Sequence, residues 1–113
     1  MLDVTFYRDG RQRLSSLFAR GHANFAEAGE DIICAAVSAI LQAARLGLES
    51  YAKIELDVAQ SEGNLRLRWS ESARDDAALR AIVSTAELAV EQIATQFPEH
   101  VTFHREIAAT TEQ

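Results

Sequence analysis

One thiol and one imidazole lie close together in this 113-residue sequence, within the stretch RGHANFAEAGEDIICAAVSA from Arg20 to Ala39. Cys34 is the chain's only cysteine, and a helix is predicted to begin near Asp31. The unpaired amides and the dipole of a first helical turn stabilise a thiolate, the form of cysteine that attacks carbonyl groups. Residues 23–33 separate His22 from Cys34, enough chain to fold back and bring a base beside a nucleophile.

Each of these residues also has a plain structural interpretation. A lone cysteine is often a small buried apolar residue, and a loop histidine is often merely solvated. Asp31 fits a helix cap as well as a partner that orients His22. Ser38 fits a helix hydroxyl bonded to its own backbone as well as a group beside the thiol. Gly21 and Gly29 fit turn glycines as well as hinges of a loop that closes over substrate.

Two further histidines, His100 and His104, lie near the C-terminus. With Cys34 and His22 they could complete a zinc site, but their spacing matches no familiar metal pattern and no CxxC accompanies them. The sequence therefore predicts neither a metal site nor a cofactor.

The elements that must position these residues alternate between strand and helix periodicity. Strand patterns cover residues 2–7, 14–20, 54–58, 65–69 and 101–107, and helical patterns cover 31–46 and 75–96. Asp9-Gly10 and the stretch QSEGN predict the turns of two hairpins, while Gly47 and Pro98 are signals for the ends of the helices.

The order β-β-α-β-β-α-β predicts an α+β fold with one mixed or antiparallel sheet and two helices packed on one of its faces. We expect residues 1–108 to form a single domain and residues 109–113 to be a frayed tail.

The amino-acid composition and net charge disfavour some classes of function and fit others. The chain is 48% apolar and 25% charged, with a net charge of −6, so general nucleic-acid binding is disfavoured and a basic partner fits. A single cysteine fits a reducing compartment. The N-terminus has the pattern of a strand instead of a signal peptide, and no run approaches the roughly 18 uninterrupted apolar residues of a membrane span. We predict a cytoplasmic protein with no membrane partner and no direct nucleic-acid partner.

The segment GHANFAEAGEDIICAAVSAIL resembles the signature of the ribosomal-processing cysteine protease family, Prp. That signature is Gly-His-Ala, a short loop with aromatic and acidic residues, and then Gly-x-Asp-Ile-x-Cys-Ala-Ala-x-Ser. It falls here on Gly21, His22, Ala23, Gly29, Asp31, Ile32, Cys34, Ala35, Ala36 and Ser38. The likeness covers essentially the whole chain, including the opening hairpin, the strand EGNLRLRW and the stretch QFPEHV.

The resemblance implies a cysteine endopeptidase that removes a short N-terminal extension from a large-subunit ribosomal protein during ribosome maturation. It also implies a homodimer. By the same match His22 is the general base and Cys34 the nucleophile, while Asp31 and Ser38 support the site.

The resemblance further implies a loop that orders over the bound peptide, with Gly21, Ala23, Asn24, Phe25 and Gly29 as its substrate-contacting or hinge residues. Asn24 stands where many members have glycine, and Phe25 where many have tyrosine. Asparagine tolerates positive φ better than most residues, and phenylalanine keeps the ring without the hydroxyl. These departures bear on loop mobility and peptide preference and leave the reaction type unaffected.

Two rival functions come from other classes. A non-catalytic module of the same fold would hold a ribosomal protein without cutting it, although the intact pair of His22 and Cys34 argues against that. A thiol redox sensor needs a resolving cysteine, and a single chain has none. Alkylation of Cys34 separates protease from binder, because only a protease has cleavage to lose.

Overall fold

The computed structural model describes residues 1–21 and 28–108, and of residues 28–31 it describes the backbone alone. The described chain follows the predicted order of strands and helices. It contains β1 (Leu2–Arg8), β2 (Leu14–Arg20), α1 (Ala28–Leu46), β3 (Asp57–Ser61), β4 (Asn64–Arg68), α2 (Ala77–Gln96) and β5 (Val101–Ile107). Two short helical turns, Gly47–Tyr51 and Glu71–Ala73, follow α1 and β4.

The five strands form one mixed sheet in the order β3-β4-β2-β1-β5. The pair β1 and β5 is parallel, and the other neighbours are antiparallel. The predicted α+β class is therefore confirmed. The strands β1 and β5 can pair in parallel because the chain that connects them is long and includes both helices.

One face of the sheet carries the core. Val4 and Phe6 of β1 lie opposite Ala19 and Leu17 of β2, and all four are buried. The inner faces of α1 and α2 join the same cluster and the two helices contact each other, so both lie on this face of the sheet. Alternating apolar residues thus fix which face of each strand is covered.

Helix α1 begins at Ala28, three residues before the predicted start at Asp31. Ala28 is a strong helix former, and Glu30 near a helix N-terminus is favoured by the dipole, so the helix gains most of a turn upstream. Gly29, predicted to lie in the loop, is therefore in the first turn, and Cys34 is in the second.

The C-terminal end of α1 also differs from the prediction. The chain does not leave the helix at Gly47 but continues through a π-helical turn to Tyr51. A Cβ at Gly47 would lie 3.3 Å from Cδ1 of Ile82 on α2, so this glycine allows close packing of the helices. The positive φ of 58° that turns the chain away falls on Lys53 instead.

One segment of the described chain, Ile32–Tyr51, is long and apolar enough to cross a membrane by length and composition alone, although no such segment was predicted. Val37, Leu41 and Leu48 in this segment are buried within the domain. The core helix of a globular domain passes the same test, because one of its faces must be apolar.

The second hairpin is shifted along the chain from its predicted position. The strand expected at 54–58 is β3 at Asp57–Ser61, and QSEGN is largely strand. The turn is the two-residue Glu62-Gly63, with Gly63 at φ +81°, the conformation that two-residue hairpin turns require of glycine. Across this hairpin, Asp57 of β3 and Arg68 of β4 form an ion pair that measures 2.6 Å.

Helix α2 starts two residues after the predicted position. Asp76 is its N-cap, and the Asp76 carboxylate accepts a hydrogen bond of 3.0 Å from the amide of Leu79. A capping aspartate stands just outside the helix it stabilises, which explains the shift. The helix ends at Gln96, before Pro98 as predicted.

Candidate active site

A groove of about 330 Å³ opens between α1 and the turn of the β3–β4 hairpin. Its lining residues all lie between positions 2 and 65 of the chain: Leu2, Ala19 and Gly21; Cys34, Ala35, Val37, Ser38, Leu41 and Gln42; Gln60, Ser61, Gly63, Asn64 and Leu65. The floor is apolar, the hairpin wall is polar, and none of these residues is charged. Such a groove can hold an extended peptide more readily than a highly charged ligand.

Cys34 lies in the helical wall of this groove and is half-buried. Its neighbours Ile33 and Val37 are buried in the core and hold this part of α1 against the sheet. Ser38, one turn further on, is exposed and lines the same wall. Cys34 therefore lies at an edge of the helix that can be reached from outside.

Cys34 does not lie in the first helical turn, contrary to the prediction. Since α1 begins at Ala28, the amide of Cys34 lies beyond the four N–H groups that lack an acceptor within the helix. The amides near Cys34 thus belong to the helical hydrogen-bond ladder. The expectation that unpaired first-turn amides stabilise the Cys34 thiolate was wrong in that respect, because it depended on a helix start at Asp31.

Gly21 is held from two sides at the end of β2. Its amide donates a 2.8 Å hydrogen bond to the carbonyl of Gly63 in the second hairpin turn. Its φ is +97°, and a Cβ there would lie 2.5 Å from the carbonyl oxygen of Met1. This geometry requires glycine and favours a fixed bend over a hinge. Gly21, the residue before His22 in the sequence, thus lines the groove in a fixed bend.

Several predicted site residues lie outside the described part of the structure. These are His22, Ala23, Asn24 and Phe25, together with the side chain of Asp31. Their roles, and the supporting role of Ser38, remain predictions. What the described residues provide is the setting, because Gly21 before His22 and Cys34 after Asp31 line one groove.

The two C-terminal histidines do not belong to this groove. His104 is exposed on β5, and His100 precedes that strand. Among the described residues no group of three His, Cys, Asp or Glu side chains could hold a metal ion.

Sequence reasoning missed the polar end of the groove. Gln42 and Gln60 line it, and Nη1 of Arg45 donates a 3.2 Å hydrogen bond to Oε1 of Gln60. Helical spacing from Cys34 to Ser38 and Arg45 could have placed Arg45 on a neighbouring face of α1. No local signal could have found Gln60, because its position depends on the shifted hairpin.

Comparison with known proteins agrees with the sequence resemblance. The family model described as cysteine protease Prp matches residues 1–102. The ribosomal processing cysteine protease Prp of Bacillus subtilis is 32% identical over 83 residues, 72% of this chain and 74% of the relative. The protein of the same description from Mycoplasma genitalium is 30% identical over 90 residues, 80% of this chain and 87% of the relative.

Solved structures show the same fold. A Streptococcus mutans protein superposes with a TM-score of 0.88 at 28% identity, covering 96% of this chain and 99% of the other. The ribosomal processing protease Prp from S. aureus, solved in complex with a substrate peptide, superposes with a TM-score of 0.83 at 20% identity. That match covers 93% of this chain and 99% of the other.

Proposed function

The chain belongs to the cysteine protease Prp family and is a cysteine protease, and on that premise we propose that Cys34 is its nucleophile and His22 its general base. The observation that carries the assignment is the groove. Cys34, the chain's only cysteine, lies in its wall, and Gly21, which precedes His22, lines it as well. Asp31 and Ser38 support this pair, by the same family match.

The reaction is peptide-bond hydrolysis in two halves. His22 accepts the thiol proton, and the sulfur of Cys34 attacks the carbonyl carbon of the scissile bond. As the C–N bond breaks, His22 passes the proton to the leaving amine and a thioester joins the acyl group to Cys34. Water then attacks the thioester, with His22 again taking and returning a proton, and releases the acid and the free thiol.

We propose that the substrate is the N-terminal extension of a large-subunit ribosomal protein, removed during ribosome maturation. Two features of this chain support a substrate of that kind. The groove is partly apolar and uncharged along its described lining, which suits an extended peptide. The net charge of −6 attracts a basic protein, as ribosomal proteins are, at long range.

We propose further that the protein acts in the cytoplasm, as a homodimer, without a cofactor and without direct contact to nucleic acid or membrane. The segment of residues 23–30, with Asn24 and Phe25, contacts the bound peptide. Sedimentation equilibrium measures the dimer directly, and a single species at the mass of one chain, 12.4 kDa, at micromolar concentration would contradict it.

Cleavage of the ribosomal protein itself tests the function. The large-subunit precursor from the source organism, with its N-terminal extension, is incubated with wild type, Cys34→Ala and His22→Ala, and the product is followed by intact mass. We expect one shortened product with wild type and none with either variant. His104→Ala is the matched control, because that histidine is exposed outside the groove, and it should cut like wild type.

The same experiment separates the rival functions. A wild-type protein that binds the precursor tightly and leaves its mass unchanged would support the binding module and overturn the processing role. Cleavage that persists in Cys34→Ala would overturn the assignment of the nucleophile. Alkylation of wild type before the assay should abolish cleavage and leave peptide binding largely intact.

A further inference from the structure

A charged residue, Arg45, borders the far end of the groove through its contact with the lining residue Gln60, and the catalytic mechanism does not use it. Arg45 lies on α1 beyond Gln42, and its Nη1 donates to Oε1 of Gln60 on β3 across the end of the groove. Its Nε lies 3.5 Å from a carboxylate oxygen of Glu49, and its side chain is 31% exposed. The guanidinium is thus held in place from both sides and still reaches solvent.

The distance between Arg45 and Cys34 along α1 determines which residue of a bound peptide lies near the Arg45 guanidinium. Arg45 lies eleven positions after Cys34 in the helix, which is about 17 Å along the helix axis. An extended peptide advances about 3.3 Å per residue. A chain lying in the groove would therefore bring a residue four or five positions from the scissile bond to the level of Arg45.

The chemistry of this end differs from that of the rest of the groove. The lining includes the apolar residues Leu41 and Leu65, whereas at this end Gln42 and Gln60 line the groove and Arg45 is hydrogen-bonded to Gln60. An arginine presents five N–H donors in a planar fork that suits amide and carboxylate oxygens. A peptide side chain with such an oxygen could join Gln60 on the guanidinium or replace it.

We propose that Arg45 is a specificity-determining residue, selecting peptides with an amide or carboxylate side chain four or five residues from the bond that Cys34 attacks. This inference rests on the proposed function, since it needs the peptide to lie in the groove. Arg45 binds and orients the substrate and takes no part in bond breaking. Its loss therefore alters which peptides are cut and leaves the reaction intact.

A peptide series tests the selection. The parent peptide spans the cleaved bond of the ribosomal precursor, and each position within six residues on either side is replaced in turn by Ala, Leu, Asn, Gln, Asp, Glu and Lys. With wild type we expect kcat/KM roughly tenfold higher for oxygen-bearing side chains than for Leu at one position, four or five residues from the bond. Arg45→Met should remove that preference and leave those at nearer positions unchanged.

Three variants sharpen the test. Arg80→Met, an exposed arginine on α2 outside the groove, is the matched control and should keep the wild-type profile. Gln60→Leu should keep the preference, because Arg45 still offers its donors. If Arg45→Met does not fold, as judged by circular dichroism, Arg45→Gln replaces it in the assay. Arg45→Gln should weaken the preference for carboxylate side chains more than the preference for amide side chains.

The outcomes distinguish the two proposals. If wild type cuts the parent peptide but shows no preference at that distance, or if Arg45→Met keeps it, the selection by Arg45 is overturned and the protease function stands. If wild type does not cut the parent peptide or the full precursor, the processing function fails and the selection falls with it.

Discussion

Two aspartate–arginine pairs in different parts of the molecule show how differently it uses the same chemistry. At the turn end of the β1–β2 hairpin, Asp9 and Arg74 are 2.9 Å apart, with side chains 9% and 4% exposed. On the β3–β4 hairpin, Asp57 and Arg68 are 2.6 Å apart, with side chains 58% and 40% exposed. The shorter of the two contacts, between Asp57 and Arg68, is the one that water screens. Burial and the number of hydrogen bonds, more than distance, decide what such a pair contributes.

The contrast extends to the two ends of the β1–β2 hairpin. The turn end also holds Glu87 of α2, which is buried and accepts hydrogen bonds from both Arg8 and Arg105. At the opposite end, where Gly21 follows β2, the described groove lining has no charged residue and its thiol is half-buried. Ionic interactions that stabilise the fold are thus concentrated away from the groove. Substitutions at the turn end should therefore change mainly the free energy of unfolding, and substitutions at the groove end should change mainly peptide cleavage.

The largest expected effect is on catalysis at the groove end. Cys34→Ala should reduce kcat/KM for the ribosomal precursor by about 10⁴-fold or more, because the covalent intermediate cannot form. Its free energy of unfolding should change by no more than about 1 kcal/mol, since the side chain is small and only half-buried. Urea unfolding and the cleavage assay on one preparation check both. If Cys34→Ala loses activity only because it unfolds, the groove end does not differ from the turn end in this respect.

Stability at the turn end should depend on pH through Asp9. Burial alone would raise the pKa of Asp9, but hydrogen bonds from the amides of Arg13 and Arg11 and from the guanidinium groups of Arg74 and Arg13 outweigh it. Together they hold that pKa far below its ordinary value. The folded state therefore binds this proton less readily than the unfolded chain does. The resulting stabilisation is complete above pH of about 4 and is lost as the pH falls through the lower, folded-state pKa.

Asp9→Asn isolates this contribution. At pH 7 the variant should lose about 3 kcal/mol, because Arg74 stays buried without the Asp9 carboxylate. Its free energy of unfolding should also fall less steeply than that of wild type between pH of about 4 and about 2. Parallel pH profiles for the two proteins, measured by urea unfolding, would mean that Asp9 does not provide the linkage.

Glu87 should have a somewhat smaller effect, because its arginine partners reach solvent. The side chains of Arg8 and Arg105 are 24% and 40% exposed, so both can rehydrate partly when the carboxylate is removed. Glu87→Leu should cost about 2 kcal/mol of stability, less than the roughly 3–5 kcal/mol of a fully buried pair that loses one partner. Peptide cleavage below the melting temperature should stay within about twofold of wild type. A tenfold loss of cleavage in the folded variant would show that the two ends are coupled.

A substitution at Gly21 tests a position in the groove lining where a positive φ and a close carbonyl together demand glycine. Gly21→Ala should destabilise the fold by about 1–2 kcal/mol through the positive φ and the close Met1 carbonyl. It should also lower kcat, since a displaced Gly21 shifts the start of the His22 segment. Gly10→Ala is the control, because nothing lies within 4 Å of a Cβ there, and its stability should change by less than about 0.5 kcal/mol. Equal effects at the two glycines would contradict the structural requirement.

The fold was predictable where local pattern and tertiary structure agree. Strand periodicity located β2 at its observed bounds, and Asp76 and Pro98 bracket α2 as their chemistry requires. Local pattern failed at the start of α1 and at β3. In both places several residues have compatible propensities, and the observed choice depends on which neighbours they pack against.

The site was predictable in part for a different reason. A thiol in a helical pattern and a nearby histidine suggest chemistry from spacing alone. In the structure Ile33 and Val37 are buried, and Cys34 lies half-buried in the groove wall. The contact of Arg45 with Gln60 joins two elements through a strand that was shifted from its expected position. The bonds of Glu87 to its arginine partners depend on which helix turn faces which strand end. Periodicity carries no information about such pairings.

The smallest expected effect returns to the exposed pair on the β3–β4 hairpin. Asp57→Asn should change the free energy of unfolding by less than about 0.5 kcal/mol at low salt, because both side chains are well solvated. In about 1 M salt, where the Debye length is about 3 Å, the difference from wild type should disappear. Asp9→Asn, measured in the same two buffers, should keep most of its loss, since its pair is shielded from ions. A loss of about 2 kcal/mol or more at Asp57, persisting in high salt, would mean that burial does not separate the two pairs.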